Sequence, residues 1–287
     1  MTIIGASRPA FDPQQLGVMD MVHYKACDGL PIPAYLTLPP GGVKKNLPLL
    51  VFVHGGPWVR GATWGWDSEV RFLASRGYAV LQPEFRGNRG FGRRHLEAGF
   101  KQWGLAMQND LADGVRWAIA EGIADPKRIC IMGASYGGYA TMMGLVHAPD
   151  LFRCGVNWVG VTDIDLMYGV GWSDLSDDYK RYGMPALVGD RVKDAAQFKA
   201  TSPVARLPAS PSRYCSPMAA STCACPSCTV KNYATRSGRA TAMSSGSCTR
   251  KKGMAGTSRK TRSTSGPASR NFWIATCARP SNLARRC

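Results

Sequence analysis

Hydrophobic and polar residues alternate with two different periods along the first two hundred positions. Short apolar runs, typical of buried strands, alternate with stretches in which apolar residues recur every three or four positions, as in helices. The run LLVFVH at residues 49–54 predicts a strand buried on both faces, whereas IPAYLTL at residues 32–38 predicts an alternating strand with one exposed face. The other predicted elements are helices at 68–75, 109–121 and 137–147 and strands at 79–85, 128–132 and 155–159.

This order of elements predicts the class of fold. Strands that alternate with helices form a mostly parallel sheet covered on both faces, because parallel strands need a crossover connection between them. We therefore expect an α/β protein with a doubly wound sheet. Functional residues of such sheets lie at the carboxyl ends of the strands.

The last 80 residues have a different composition from the rest of the chain. Residues 208–287 hold 14 of the 36 Lys and Arg residues and seven of the ten Cys, but no Asp, Glu or His. Of the net charge of +17, residues 1–207 contribute only +3. Too few apolar side chains remain in this segment to offset the entropy of ordering it. We expect a lead-in at 1–21, one domain at 22–207 and a disordered basic tail at 208–287.

Composition also argues against several classes of protein. No apolar run approaches 18 residues, and the first residues lack the features of a signal peptide, so we expect a cytoplasmic protein without a membrane partner. Cys27, Cys130 and Cys154 are isolated, which is typical of reduced thiols. The Cys223, Cys225 and Cys228 group lacks a second set of ligands, so we expect no metal and no cofactor.

The tail's basic residues raise the question of a nucleic-acid partner. Lys and Arg runs at 250–252 and 259–262 could contact phosphates through charge alone. Without a fold to position them, we expect non-specific adhesion and no specific nucleic-acid partner.

The strongest chemical signal is the pentapeptide Gly133-Ala134-Ser135-Tyr136-Gly137. Between a buried strand and a helix, this G-x-S-x-G pattern forms a nucleophile elbow, a turn so sharp that the serine takes strained backbone angles. Ser135 is the expected nucleophile, and the backbone N–H of Tyr136 is an expected oxyanion donor.

A second glycine-rich segment supplies the other expected oxyanion donor. His54-Gly55-Gly56-Pro57 follows the 49–54 strand, where glycines let the backbone approach a substrate carbonyl. We expect the N–H of Gly55 or Gly56 to complete the oxyanion hole and His54 to be structural. None of the four His residues is placed as a general base.

Four ordered motifs together resemble one enzyme family. HGGPW (54–58), FLASRGYAVLQPEFRGNRGFG (72–92), GASYGGYAT (133–141) and PDLFRCGVNWVGVTD (149–163) resemble the prolyl oligopeptidase family of serine peptidases, in its acylaminoacyl-peptidase and dipeptidyl-peptidase-like branch. The resemblance runs from Val22 to Leu207. It implies an α/β-hydrolase domain that cleaves short peptides with Ser135. It also implies that Arg86 lies near the substrate, the alternative being a surface charge in a loop.

The sequence departs from that family's pattern in two places. The family carries a β-propeller before the hydrolase domain, and the lead-in at 1–21 is too short for one. The family's catalytic Asp and His follow strands that should lie after Leu207, but residues 208–287 contain neither residue. We therefore expect a hydrolase domain that is incomplete at its C-terminus and inactive.

The genetic code suggests a reason for the missing residues. Codons for residues 214–222 can be chosen so that a frame beginning at the third base of the first codon reads Leu-Leu-Ala-Tyr-Gly-Gly-Val-Asp, similar to the family's Asp-bearing strand. The same frame over residues 244–256 permits a His-bearing loop like the family's. In this shifted frame, Gly is obligatory at Met218-Ala219 and at Met254-Ala255. The last base of the Met codon ATG and the first two bases of any Ala codon GCN together read GGC. We expect residues 208–287 to be translated out of frame.

Three hypotheses about function remain open at this point. The first is a serine peptidase inactivated by a defect in the gene or its sequence. The second is an esterase-type α/β-hydrolase, and the third is a non-catalytic basic binding protein. The sequence does not indicate an oligomeric state.

Overall fold

The computed structural model describes Asp12, residues 15–169 and 175–206, and the backbone of residues 214–215. These residues form a seven-stranded sheet in the order β1-β2-β4-β3-β5-β6-β7, with helices between the strands. The strands are β1 Val18–Lys25, β2 Pro31–Leu38, β3 Leu47–Val53, β4 Ala79–Pro83, β5 Ala124–Ala134, β6 Cys154–Trp158 and β7 Tyr214–Cys215. The helices are α1 Ser68–Ser75, α2 Arg93–Glu97, α3 Ala106–Ala120, α4 Tyr136–His147, α5 Leu166–Gly169, α6 Met184–Leu187, α7 Ala195–Thr201 and α8 Pro203–Arg206, with a π-helical turn at Tyr179–Gly183.

The sheet is mostly parallel, as the order of elements predicts. Strands β4, β3, β5, β6 and β7 run parallel to one another, and β2 pairs antiparallel with β4 on one side and with β1 on the other. Helices α3 and α4 contact the sheet on the side of the main apolar core, which includes Leu49, Val51 and Ile131. On the opposite side, Val70 and Leu73 of α1 pack against Leu50 and Val80. The sheet is therefore covered on both faces, and the fold is a doubly wound α/β-hydrolase fold.

The expectation of an exposed face on the 32–38 strand is wrong. Strand β2 lies between β1 and β4, and its residues from Ile32 to Thr37 are buried. Ala34 and Leu36 belong to the main core, while Tyr35 packs on the other face with Met19 and Ala62. Both faces of β2 are therefore covered, although apolar and polar residues alternate along its sequence.

The expectation of three reduced thiols is also wrong for two of them. Cys130 of β5 and Cys154 of β6 are direct partners in the parallel register, with their Cα atoms 4.9 Å apart, and they form a disulfide. Cys27 is a free, exposed thiol. The two cysteines are 24 positions apart in the sequence, and they pair because β5 and β6 are neighbouring strands.

Several sequence-based expectations fall outside the described residues. Most of the lead-in at 1–21 and nearly all of the tail at 208–287 lie there, as do the Cys223, Cys225 and Cys228 group and the basic runs. Every described residue belongs to one structural unit. No helix among the described residues is long and apolar enough to cross a membrane.

Candidate active site

Ser135 lies on a sharp turn between β5 and α4. Its backbone angles are φ +57° and ψ −116°, in the region that side chains other than glycine rarely adopt. Two hydrogen bonds hold this turn: Ser135 N–H donates to the carbonyl of Trp158 at 3.0 Å, and Tyr139 N–H donates to the carbonyl of Ser135 at 3.0 Å. The strain, about 1–3 kcal/mol for such a residue, leaves Ser135 exposed at the carboxyl end of β5.

The two glycines of the pentapeptide are required by close backbone contacts. A Cβ placed on Gly133 would lie 2.2 Å from the carbonyl oxygen of Val53, and one on Gly137 would lie 2.0 Å from the same atom. Real Cβ atoms do not approach an oxygen so closely. Strand β5 and helix α4 can therefore cross beside β3 only where both positions lack a side chain, which is the elbow geometry that the sequence predicts.

The glycine-rich loop after β3 lies directly beside the elbow. A Cβ placed on Gly55 would lie 3.2 Å from the carbonyl oxygen of Ala134 and 3.4 Å from Cβ of Ser135. Tyr136 is the first residue of α4, so its N–H has no acceptor within the helix. The structure thus brings Ser135, Gly55 and Tyr136 together.

His54 contacts the peptide group between Gly55 and Gly56. Its Nδ1 lies 2.6 Å from the carbonyl oxygen of Gly55. This peptide bond is trans, so the Gly56 N–H points opposite to that carbonyl. Of the two glycine N–H groups that the sequence leaves open, the Gly56 N–H belongs to the peptide group that His54 contacts.

All four His residues of the chain lie within the described residues, and none is positioned to accept the proton of the Ser135 hydroxyl. His54 uses Nδ1 on Gly55 and Nε2 on Asn88. His95 bonds the carbonyl of Phe85, and His147 bonds Asn109. His23 lies on β1, four strands from β5, which is about 19 Å at the usual strand spacing. Burial lowers the pKa of His54, His95 and His147, which keeps them neutral near pH 7.

Arg86 is not a surface charge, because it is only 5% exposed. Its guanidinium binds Asp110 at 2.8 Å and Asp28 at 2.7 Å, and its backbone N–H also donates to Asp110. Burial raises the pKa of Asp110 to about 6, and the contacts with Arg86 limit that rise. Burial alone would lower the pKa of Arg86, but its bonds to the two carboxylates raise it. These contacts are with the protein itself, and a substrate contact of Arg86 stays a prediction.

Two buried residues beside the site were not identified from the sequence. Glu84, fully buried, accepts hydrogen bonds from the backbone of Gly61 and Ala62 and from the side chain of Asn88. Asn88, also buried, lies 2.7 Å from Nε2 of His54. Both residues flank the Phe-Arg-Gly segment at 85–87. The sequence signal that could have identified Glu84 is an acidic residue directly after a buried strand.

A layer of aromatic rings supports the first turn of α4. The ring of Tyr136 lies 4.7 Å from Trp103 and 5.2 Å from Phe85, measured between centroids, and Tyr139 lies 4.8 Å from Trp103. Burial raises the pKa of Tyr136 well above its usual value, so the phenol stays neutral. The packing of its ring among these aromatic side chains therefore fixes the position of the Tyr136 backbone.

The described residues contain no group of three or more His, Cys, Asp or Glu side chains that could hold a metal ion. The chemistry available at this site is that of an exposed serine hydroxyl beside two sets of backbone N–H donors. Such an arrangement suits nucleophilic attack on a carbonyl whose oxygen gains negative charge.

Comparisons with known proteins agree with this geometry. Residues 64–218 match the sequence profile of the prolyl oligopeptidase family. Dipeptidyl aminopeptidase BIII of Pseudoxanthomonas mexicana is 38% identical over 196 residues, which is 64% of this chain and 28% of that protein. The chain thus spans less than a third of that relative's length.

Solved structures show the same fold. A crystal structure of puromycin hydrolase superposes with a TM-score of 0.62 and 27% identity over 68% of this chain and 30% of that one. An acylaminoacyl peptidase in complex with Z-Gly-Gly-Phe-chloromethyl ketone superposes with a TM-score of 0.58 and 26% identity over 67% of this chain and 30% of that one. The profile match covers more than half of the chain, so the protein belongs to the prolyl oligopeptidase family of serine peptidases.

Proposed function

We propose that this domain is the catalytic domain of a peptidase for short peptides, with Ser135 as the nucleophile. The observation that carries the proposal is the strained, exposed Ser135 beside the Gly55 loop. A nucleophile elbow stores strain that a purely structural turn does not need. The likeness to an acylaminoacyl peptidase bound to a peptide chloromethyl ketone supports a peptide substrate.

In the proposed reaction, the Ser135 hydroxyl attacks a peptide carbonyl and transfers its proton to a base. The resulting oxyanion accepts hydrogen bonds from the Tyr136 N–H and from the Gly56 N–H, whose direction His54 sets. Backbone donors fixed before the reaction stabilise the developing charge without reorganising. Gly55 contributes by letting the loop approach Ser135, because it has no side chain to collide with the elbow.

We infer that residues 1–287 do not supply the rest of the triad that such a reaction uses. Residues 208–287 contain neither Asp nor His, and the four described imidazoles bond elsewhere or lie too far away. Without a base, the oxyanion hole and binding alone give about 10³–10⁴-fold acceleration over water. The proposal therefore includes that this chain has no appreciable peptidase activity.

The proposed cause is translation of residues 208–287 in the wrong frame. The codons permitted by residues 214–222 and 244–256 can encode Asp- and His-bearing segments of the family's kind. The profile match to the family stops at residue 218, close to the proposed change of frame. Resequencing the gene tests this idea, which is wrong if no one-base insertion or deletion near codon 208 opens the other frame.

A chain with the frame restored from residue 208 tests the proposed activity. We expect it to hydrolyse p-nitroanilides of short peptides faster than p-nitrophenyl esters, relative to the uncatalysed rates, and to lose both activities with Ser135→Ala. A preference for simple esters would favour the esterase hypothesis. Strongly salt-dependent nucleic-acid binding that survives deletion of residues 208–287 would instead favour the third hypothesis, a basic binding protein.

A further inference from the structure

Two buried side chains, Glu84 and Asn88, and the partly buried His54 form a continuous hydrogen-bonded chain from the end of β4 to the oxyanion loop. Glu84 follows the last residue of β4 and accepts a hydrogen bond from Nδ2 of Asn88 at 2.7 Å. The same Nδ2 lies 2.7 Å from Nε2 of His54. His54 in turn lies 2.6 Å from the carbonyl oxygen of Gly55. The chain therefore ends on the peptide group beside the nucleophile.

The partners of His54 define its protonation state. A carbonyl oxygen only accepts, so Nδ1 must carry the hydrogen in the contact with Gly55, and an amide Nδ2 only donates, so Nε2 must be bare in the contact with Asn88. Both contacts are satisfied only by the neutral imidazole with its proton on Nδ1. The ring is stacked on Phe85 at 4.7 Å, which holds its plane.

Glu84 holds the other end of the same loop. One carboxylate oxygen accepts from the Ala62 N–H, and the other accepts from the Gly61 N–H at 3.2 Å. Gly61 lies against the imidazole so closely that a Cβ there would be 1.9 Å from Cδ2 of His54. The loop from His54 to Ala62 is therefore held by Glu84 directly at its Gly61–Ala62 end and, through Asn88, at its His54 end.

The turn that carries Asn88 is itself fixed. Arg86, two residues earlier, is bound by Asp110 of α3 and by Asp28. The backbone N–H of Asn88 donates to the carbonyl of Phe85 at 3.2 Å. The amide of Asn88 is thus presented to His54 from a rigid turn and not from a mobile loop.

We propose that Glu84 and Asn88 are positioning residues for the oxyanion hole. They hold neutral His54 in one orientation, His54 holds the Gly55 carbonyl, and the planar peptide group then aims the Gly56 N–H at the position where the oxyanion forms. The catalytic meaning of this arrangement rests on the proposed peptidase function. The arrangement itself can be tested without any turnover.

The tautomer of His54 in the full chain is the first test. We expect ¹⁵N spectra of the histidine-labelled protein at pH 7 to show one imidazole with a protonated Nδ1 and an unprotonated Nε2, absent from the His54→Gln variant. Asn88→Ala should shift the Nε2 resonance of that imidazole, because it removes the donor. A His54 signal with the proton on Nε2, or a charged ring at pH 7, would overturn the proposal.

Backbone hydrogen exchange in the full chain is the second test. In Glu84→Gln, the new amide group turns a donor toward the loop N–H groups, so we expect exchange across residues 55–62 to accelerate by about ten- to one hundredfold. Glu97→Gln is the matched control, since it removes the same charge from an exposed residue of α2. Its exchange in residues 55–62 should equal that of the unmodified chain.

The outcomes separate this proposal from the proposed function. Unchanged exchange in Glu84→Gln, or acceleration spread equally over β3 and α4, contradicts the positioning role and leaves Ser135 as the candidate nucleophile. Loss of the proposed peptidase function would not alter the tautomer or the exchange rates, because neither depends on catalysis.

Discussion

The carbonyl oxygen of Val53 lies against the α-carbon of Gly137, with room for a hydrogen but not for a methyl group. A Cβ there would be 2.0 Å from the oxygen and 2.9 Å from the carbonyl carbon. This contact joins the end of β3, and so the start of the oxyanion loop, to the first turn of α4. The proposed nucleophile and the loop with the proposed second oxyanion donor are positioned by the same backbone contact.

Gly137→Ala should therefore destabilise the fold strongly. Relief of the clash needs movement of either β3 or α4, both of which are buried, and we expect the free energy of unfolding to fall by about 3 kcal/mol or more. Urea denaturation followed by tryptophan fluorescence measures the change. Gly169→Ala is the control, because its new Cβ would meet no atom closer than 4.0 Å. Equal effects of the two substitutions would contradict the described packing.

Arg86→Ala should also destabilise the protein, since it leaves Asp110 buried without its cation. Removing one partner of a buried ion pair costs about 3–5 kcal/mol. Arg93, whose ion pair with Glu97 is exposed, provides the control, and Arg93→Ala should cost far less, because solvent screens the pair. Denaturant titrations of both variants decide the role. A stable Arg86→Ala protein would favour a substrate contact over the structural one.

The imidazoles of His54, His95 and His147 should contribute less stability as the pH falls below about 6.5, whereas Asp110, whose pKa is raised to about 6, contributes in the opposite direction. Burial lowers the pKa of His54, His95 and His147, so the unfolded chain binds protons before the folded chain does. The contribution of these neutral rings is fully present above the unfolded pKa and is lost as the pH falls through the folded values. Free energies of unfolding between pH 7.5 and 5 should show a smaller loss for His54→Gln than for the unmodified chain. An identical pH dependence for both proteins would contradict the buried, neutral state of His54.

Alkylation should distinguish the three cysteines of the domain. Without reductant, iodoacetamide should modify Cys27 but not Cys130 or Cys154, because the latter two are joined. After reduction in denaturant, all three should be modified. Mass spectrometry of tryptic peptides reports each site separately. Modification of Cys130 without reductant would show that the two sulfur atoms are not bonded.

The features that the sequence predicts well are local ones. The elbow depends on residues within five positions, because Gly133 and Gly137 flank Ser135 and their lack of side chains is visible in the sequence. Helix α1 has the predicted bounds, since Asp67 caps its first turn and Gly77 follows its end. Such features can be predicted because the residues that determine them are close together in the sequence.

The features that the sequence missed arise from the order of strands in the sheet. Cys130 meets Cys154 only because β5 and β6 are neighbours, and β2 is buried on both faces because the main core covers one face and Met19 and Ala62 pack on the other. The contact between Asn88 and His54 likewise joins two residues 34 positions apart at the ends of neighbouring parallel strands. No period or motif along the chain records such pairings.

The most direct test is the hydrolysis of a peptide p-nitroanilide by the purified 287-residue chain beside its Ser135→Ala variant. We propose that this chain has a nucleophile and oxyanion donors but no base. We therefore expect the two proteins to give equally low rates, close to the uncatalysed reaction. Turnover that depends on Ser135 and reaches about 1 s⁻¹ or more, as in ordinary enzymes, would contradict it.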